Sequence, residues 1–322
     1  MNLKLTDEAT PFYGCVPNAA NPQVTAEIAS LAAPWDATDK PTISSWSSLK
    51  PWLEEKAESK DRLRSQGKSP FWWDICHRLG LDPLELITPS QGSIGSCAGV
   101  SYFDRCYLFT LLHQIADGSE QQIEPVNALA SWLRSKGWSR WGGQSISAVV
   151  KEGCSGGVYP ASMVGTYSAG WNDKSAADAH TADAEKRQMG ACLVPDSEDK
   201  FEAADLALRA GLVVEIGNSR AVAEGTEKDS NGVPVLSLSG SWSHAHVASE
   251  LVIINGKVYY RWDNTHGPIY DGTQHGPTTG GVMTPDTFRR FLDSSFCDLA
   301  IVTHVESPYD LTLLPTLTPE VF

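Results

Sequence analysis

Apolar side chains recur at helical spacing after residue 97. Val100, Phe103, Tyr107, Leu108, Leu111, Leu112 and Ile115 share one face of an amphipathic helix that begins at or near Cys97. Shorter runs carry the same period. One helix is predicted from near Ser48 through Leu49, Trp52, Leu53 and Lys56 to about Leu63, with Pro51 in its first turn and its later turns charged and solvated. Another begins near Glu124-Pro125 and ends at Gly137, and a third spans Ser197 to Ala210, with Ser197 as its N-cap and Gly211 as its stop. Thr284-Pro285-Asp286 opens a short helix through Phe288 and Phe291. Leu212 to Ile216 reads as a buried strand and Leu299 to Val302 as a closing one. Two strand-like runs, ending at Ile254 and starting again before Tyr259, flank an Asn255-Gly256 turn and form a hairpin candidate.

Three regions separate along the chain. Residues 1–85 hold Pro-rich and Ser-rich stretches around one helix and read as an N-terminal extension, a pro-like or docking segment. Its Phe71-Trp72-Trp73-Asp74-Ile75-Cys76 run is bulky and apolar enough to dock on a neighbouring domain. Residues 86–305 form the main domain, helices first and strands later. Within it Ser168 to Met189, rich in Ala, Asp and Lys, reads as a solvated excursion. Residues 306–322, with Pro308, Pro315 and Pro319, read as an extended arm of the kind that packs on partners.

Composition narrows the possibilities. At 322 residues and 41% hydrophobic the chain can bury a large core. A formal charge of -14 without a basic stripe argues against nucleic acid as a direct partner. No apolar run approaches the roughly 20 residues of a membrane span, so no membrane partner is expected. Met1 to Glu8 reaches acidic residues too early for a secretory signal, which leaves a cytoplasmic or virion location as the expectation. Cys15, Cys76, Cys97, Cys106, Cys154, Cys192 and Cys297 have irregular spacing and read mostly as reduced and buried, Cys106 as core of the Cys97 helix.

Candidate chemistry gathers around Cys97. In Gln91-Gly92-Ser93-Ile94-Gly95-Ser96-Cys97 the thiol follows small residues and opens a helix, whose N-terminal N–H groups favour a thiolate. Gln91 can offer its side-chain amide to a developing oxyanion, beside the Cys97 N–H. A single helical cysteine is more often just a small buried hydrophobe, so partners are required.

Three motifs in chain order supply them: the Gln91 to Cys97 run, Gly153-Cys154-Ser155-Gly156-Gly157-Val158-Tyr159-Pro160, and Ser243-His244-Ala245 followed by Trp262-Asp263-Asn264. This order resembles the papain-like cysteine peptidases. The resemblance implies an α+β fold in two parts, a helical half and an antiparallel sheet or barrel half. It also implies an oxyanion role for Gln91, a nucleophile at Cys97, a base at His244 oriented by Asn264, and a substrate cleft lined by the backbones of Gly156 and Gly157. The hairpin would bring His244 and Asn264 side by side. His246 is a rival base, because alternation along a strand cannot separate it from His244; the family pattern favours His244. A zinc site on the His244/His246 pair lacks further ligand motifs, and no cofactor is expected.

Several positions depart from the family. Ala98 and His266 stand where tryptophans are usual, the second normally shielding the Asn–His bond, so a wetter and weaker ion pair is expected. Ile94 replaces the cysteine that would bridge to Cys154, so that disulfide cannot form. The expected function is a cysteine peptidase or related thiol hydrolase with a peptide or protein substrate. The alternative is a structural or assembly protein, for instance a virion component of the papain-like kind found in tailed-phage particles, contacting other subunits through the N-terminal region and C-terminal arm. A third class, transglutaminase-like or arylamine-acetyltransferase-like, would use Asp263 as the orienting group, and only one of Asp263 and Asn264 can face the histidine.

Overall fold

Burial of one face decides where each helix starts. In the computed structural model α1 covers Pro22–Leu31 and α2 Trp46–Ser59. The latter begins two residues before the predicted Ser48, because Trp46, Leu49 and Leu53 form its buried stripe and Ser45 O accepts from Leu49 N at 3.1 Å. Pro51 therefore sits inside the helix, on its exposed side, rather than in the first turn. The structure describes residues 15–35, 41–59, 64–65, 72, 75–76, 79–82, 86–87, 91, 94–117, 119, 121, 123–228, 233–265, 270–272, 276–278 and 280–307. Most of the predicted C-terminal arm, and His266, lie outside them.

The run after Cys97 is helical throughout. It comprises an α-turn at Cys97–Val100, a wider π segment at Ser101–Cys106 and α-helix again over Tyr107–Ala116, together α3. Such π segments often occur near functional sites. Next come α4 (Ala128–Ser135) and α5 (Ile146–Ser155). The start of α4 falls later than the predicted Glu124-Pro125, since Pro125 O is taken by Ala161 N at 2.9 Å and the Asn127 side chain caps Ala130 N at 3.2 Å. Likewise α6 (Lys200–Arg209) is capped by Asp199, which accepts from Glu202 N at 2.9 Å, and not by Ser197. The final helix, α7, covers Pro285–Leu292 and is capped by Thr284.

The predicted excursion at 168–189 is more ordered than its composition suggested. Short helices at Lys174–Ala179 and Thr181–Ala184 turn Ala177 and Ala184 inward against Ala130, Tyr159 and Val164. Arg187 is buried and donates to Glu124 Oε1 at 2.7 Å. Small alanines pack where longer side chains would not fit, which the charged residues around them concealed.

The strands are β1 (Arg64–Ser65), β2 (Met189–Leu193), β3 (Val213–Lys228), β4 (Pro234–Ile254), β5 (Lys257–Asp263), β6 (Tyr270–Gly272), β7 (Gly276–Thr278), β8 (Gly280–Met283) and β9 (Cys297–Val305). Seven of them form one sheet in the order β2-β9-β3-β4-β5-β8, with β1 beside β4; β6 and β7 pair separately. Pairing along the main path is antiparallel. Asn255 (φ 50°) and Gly256 (φ 75°) make the tight β4–β5 turn, in the left-handed conformations a two-residue hairpin needs.

Alternation divides this sheet between two cores. Val213, Ala245, Val247, Ala300 and Val302 face α3, α4 and α5, while Val214, Ile216, Ala248, Leu299 and Ile301 face α2, α6 and α7. The architecture is α+β. From the N-terminal extension, Trp72 packs on Phe109 of α3 with ring centroids 5.4 Å apart. Near its other end α3 is fixed to β4, where His113 Nε2 meets Ser249 O at 3.0 Å.

Candidate active site

Cys97 is the first residue of α3, and the approach of this helix to α4 depends on Gly99, where a Cβ would lie 2.5 Å from Trp132 Cβ. The backbone N–H groups of Ala245, the residue after His244, and of the thiol's own helix start favour the thiolate. Cys97 is 0% exposed. Burial pushes it up to about 12, outweighing the donors that pull the other way. In this buried arrangement desolvation outweighs the groups at the helix start.

His244 is the histidine brought to this point. Its Nε2–H donates to Asn264 Oδ1 at 3.0 Å, and Asn264 Oδ1 also accepts from Thr265 N at 2.9 Å. The Thr265 hydroxyl donates to Gln91 Oε1, and Gln91 N donates to Thr265 O at 2.9 Å. Gln91, 1% exposed, is also held by Tyr167, whose hydroxyl donates to Gln91 O at 2.9 Å, while Gln91 Nε2 donates to Ile94 O at 3.1 Å. One of the two Nε2 protons is thus engaged. Gln91, Thr265, Asn264 and His244 therefore form one hydrogen-bonded chain at the end of β5, and the backbone of Ala245, the residue after His244, acts on the Cys97 thiol.

His246 lies on the same face of β4 as His244, ring centroids 4.6 Å apart, and is fully buried against Trp242, Trp262 and Phe291, whereas the bond to Asn264 is made by His244. Asp263 accepts from Ser249 Oγ at 3.0 Å and lies 3.9 Å from Arg261, so Asn264 is the one that meets His244. Among the described residues no group of three or more His, Cys, Asp or Glu side chains is arranged to hold a metal. All seven cysteines are free.

The expected wetting of the pair is also corrected. Trp242 lies against the His244 ring, centroids 4.9 Å apart, and His244 and Asn264 are 3% and 5% exposed. This tryptophan, Thr265 and Tyr167 escaped the sequence reading. A hydroxyl directly after Asn264 and an aromatic two residues before His244 were the available signals for the first two; Tyr167 had none.

Gly156 and Gly157 serve the fold. Both N–H groups donate to Glu152 O, at 2.7 and 3.2 Å, closing α5, and Gly157 O accepts from Arg134 Nη2 at 2.8 Å. The Gly157 carbonyl keeps a second lone pair beside the bond from Arg134.

One turn into α3, Ser101 joins the helix to the sheet. Its hydroxyl donates to Ala98 O at 3.1 Å and shares a short hydrogen bond with Glu215 of β3. Burial drives the Glu215 carboxyl well above the usual carboxylate range, against the pull of Ser101. A protonated Glu215 then donates to Ser101 Oγ, since one hydroxyl proton cannot serve two acceptors. A raised carboxyl contributes stability that is fully present below about pH 4.3 and is lost as pH rises through its folded value. Glu215→Gln should therefore flatten the alkaline fall in melting temperature; identical slopes in both chains would contradict the assignment.

No family model matches the chain, and no curated protein does. Solved structures do match. Xylellain, a cysteine protease from Xylella fastidiosa, is 14% identical over 76% of this chain and 92% of that one, with a TM-score of 0.48. Procathepsin B S9 from Trypanosoma congolense is 14% identical over 88% and 89%, TM-score 0.46. Procathepsin L 3 from the Tenebrio molitor larval midgut is 12% identical over 88% and 90%, TM-score 0.44. The chain is similar in fold to papain-like cysteine proteases. At such identities the likeness ends with the fold, and activity is a matter for the geometry of the site itself. No helix among the described residues is long and apolar enough to cross a membrane.

Proposed function

We propose that this chain is a cysteine-type peptidase or related thiol hydrolase that acts through an acyl-enzyme on Cys97. The observation that carries this reading is the 3.0 Å bond from His244 to Asn264, continued through Thr265 to Gln91, six residues before Cys97 at the start of α3. Asn264 orients the imidazole through Nε2, and Nδ1 takes the thiol proton and later returns it to the leaving amine. The thiolate attacks a peptide carbonyl, and the Gln91 side-chain amide and the Cys97 N–H stabilise the oxyanion. Water then hydrolyses the acyl-enzyme with His244 as base.

The arrangement is a closed one. Cys15 N donates to Ser243 O at 3.4 Å and Val16 N to Gln144 O at 3.0 Å, so this segment joins β4 to the start of α5. Cys97 is 0% exposed, and substrate access requires that whatever covers it move.

Labelling with a peptidyl fluoromethyl ketone, located by mass spectrometry, tests the proposal. An adduct on Cys97 that is lost in His244→Ala supports it; adducts on other cysteines, with Cys97 spared, overturn it. Gln91→Ala should lower turnover by roughly 10²-fold with little change in KM. An unchanged rate would remove Gln91 from the oxyanion site. The burial of Cys97 also favours a second reading, an assembly role in which the fold is kept and the site is silent. That reading expects no adduct on any cysteine, even after the site is opened.

A further inference from the structure

Gln91 is held from two sides. On the side of the sheet, Gln91 N donates to Thr265 O at 2.9 Å and the Thr265 hydroxyl donates to Gln91 Oε1. On the side of the helices stands Tyr167, whose hydroxyl donates to Gln91 O at 2.9 Å and lies 3.5 Å from Ser96 Oγ. Ser96 is fully buried and directly precedes Cys97 as the N-cap residue of α3. One phenol oxygen thus lies against both ends of the run that joins the candidate oxyanion residue to the nucleophile. That run carries Gly92 and Gly95, and glycine does little by itself to fix a backbone, so the spacing of its ends depends on the groups that grip them.

We propose that Tyr167 is a positioning residue for the oxyanion site, a clamp that sets the Gln91 amide and the Cys97 N–H at the spacing a tetrahedral intermediate needs. This role rests on the hydrolase reading. The two donors come from residues six apart in the chain, and such donors are effective only when both lie about 2.7–3.1 Å from the same oxygen. A displacement of about 1 Å can cost a large part of the rate. Tyr167 acts at one remove, through the Gln91 carbonyl and the Ser96 side chain. Its single proton goes to Gln91 O, and the Ser96 hydroxyl is free to donate in turn to the phenol oxygen. Burial pushes the phenol up to about 12, so it remains a donor at any pH at which His244 can serve as base.

The clamp is itself anchored. Tyr167 belongs to a loop, residues 165–171, that is fastened at both ends. At the first, Asn127 Nδ2 donates to Gly165 O at 2.9 Å, and the same buried asparagine caps α4. At the second, Trp171 N donates to Ser168 O at 2.9 Å and Trp171 Nε1 to Val164 O at 2.8 Å, which closes the loop on itself. Arg140 straps the outside, donating through Nη1 to Trp171 O at 2.6 Å and through Nη2 to Ala169 O. A positioning group is only as precise as its own support, and here the support is α4 and the loop that follows it.

Tyr167→Phe removes one oxygen and keeps the ring. The test compares the full-length wild type, Tyr167→Phe, Gln91→Ala and the double variant, with rates expressed per active site titrated by the fluoromethyl ketone, so that unfolded chains are not counted. In Tyr167→Phe kcat is expected to fall about tenfold, the size of one buried hydrogen bond, with KM unchanged. A peptidyl aldehyde, whose adduct on Cys97 carries the same oxyanion, weakens by the same factor. Iodoacetamide, which forms no tetrahedral adduct, alkylates Cys97 equally fast in both chains. Once Gln91 is alanine, the Tyr167 change costs less than about twofold, because its effect passes through Gln91. Unchanged kcat and aldehyde affinity, an effect confined to KM, a parallel loss of alkylation, or full additivity with Gln91→Ala would overturn the proposal. A wild type that takes no Cys97 adduct removes the hydrolase reading and this role together, whereas an active wild type matched by Tyr167→Phe removes this role alone.

Discussion

Cys97→Ala abolishes hydrolysis, and His244→Ala lowers kcat by about 10⁴-fold or more, because nucleophile and base act as one unit. The same interdependence makes the double variant scarcely worse than either single one. Neither change should unfold the chain. Cys97 contributes a small buried side chain whose truncation leaves a cavity of one sulfur atom. His244 lies at the end of the Trp242–His246–Trp262 ring cluster rather than inside it. Steady-state kinetics on all three variants, with thermal melts alongside, check this. Additive losses would mean that the two residues do not share a proton.

Gly157→Ala should unfold the protein near physiological temperature without a selective effect on KM. Gly157 has φ +67°, and a Cβ there would lie 2.1 Å from Ala184 O, a backbone atom with little freedom to retreat. Left-handed strain of about 1 kcal/mol and overpacking of about 1–3 kcal/mol combine to take much of the stability of an ordinary domain. Chemical denaturation measures the loss. If the glycines lined the cleft instead, the variant would keep its stability and lose affinity for peptides. The two outcomes separate cleanly.

The parts of the fold that were legible in the sequence are those with long, regular periods. The apolar face of α3, the β4–β5 hairpin around Asn255-Gly256 and the α6-to-β3 succession through Gly211 all follow from spacing and turn chemistry. Helix starts were less legible, since Asn127 and Asp199 compete with nearby serines and prolines for the cap, and tertiary hydrogen bonds decide among them. Motif order pointed to the pair of His244 and Asn264, and the β4–β5 hairpin brings those two side chains together. What could not be read is the environment. Ala98 and His266 pointed to a wet site, whereas Trp242, remote from Ala98 in the chain, lies against His244, which is 3% exposed. Nor could spacing reveal that Gly157 faces Ala184, twenty-seven residues later.

The most direct measurement is the pH profile of Cys97 alkylation by iodoacetamide in the reduced full chain, compared with His244→Ala. Opening of the buried site sets the overall rate, and the shape of the profile reports the thiol once it is exposed. A thiolate held by an imidazolium reacts nearly independently of pH between about 5.5 and 8, whereas an ordinary thiol, with a pKa near 8.5, gains about tenfold per pH unit. A flat profile in the wild type that becomes a tenfold-per-unit rise in His244→Ala is the predicted result. The same rise in both chains would mean that His244 does not hold the Cys97 proton, and the hydrolase assignment would fall.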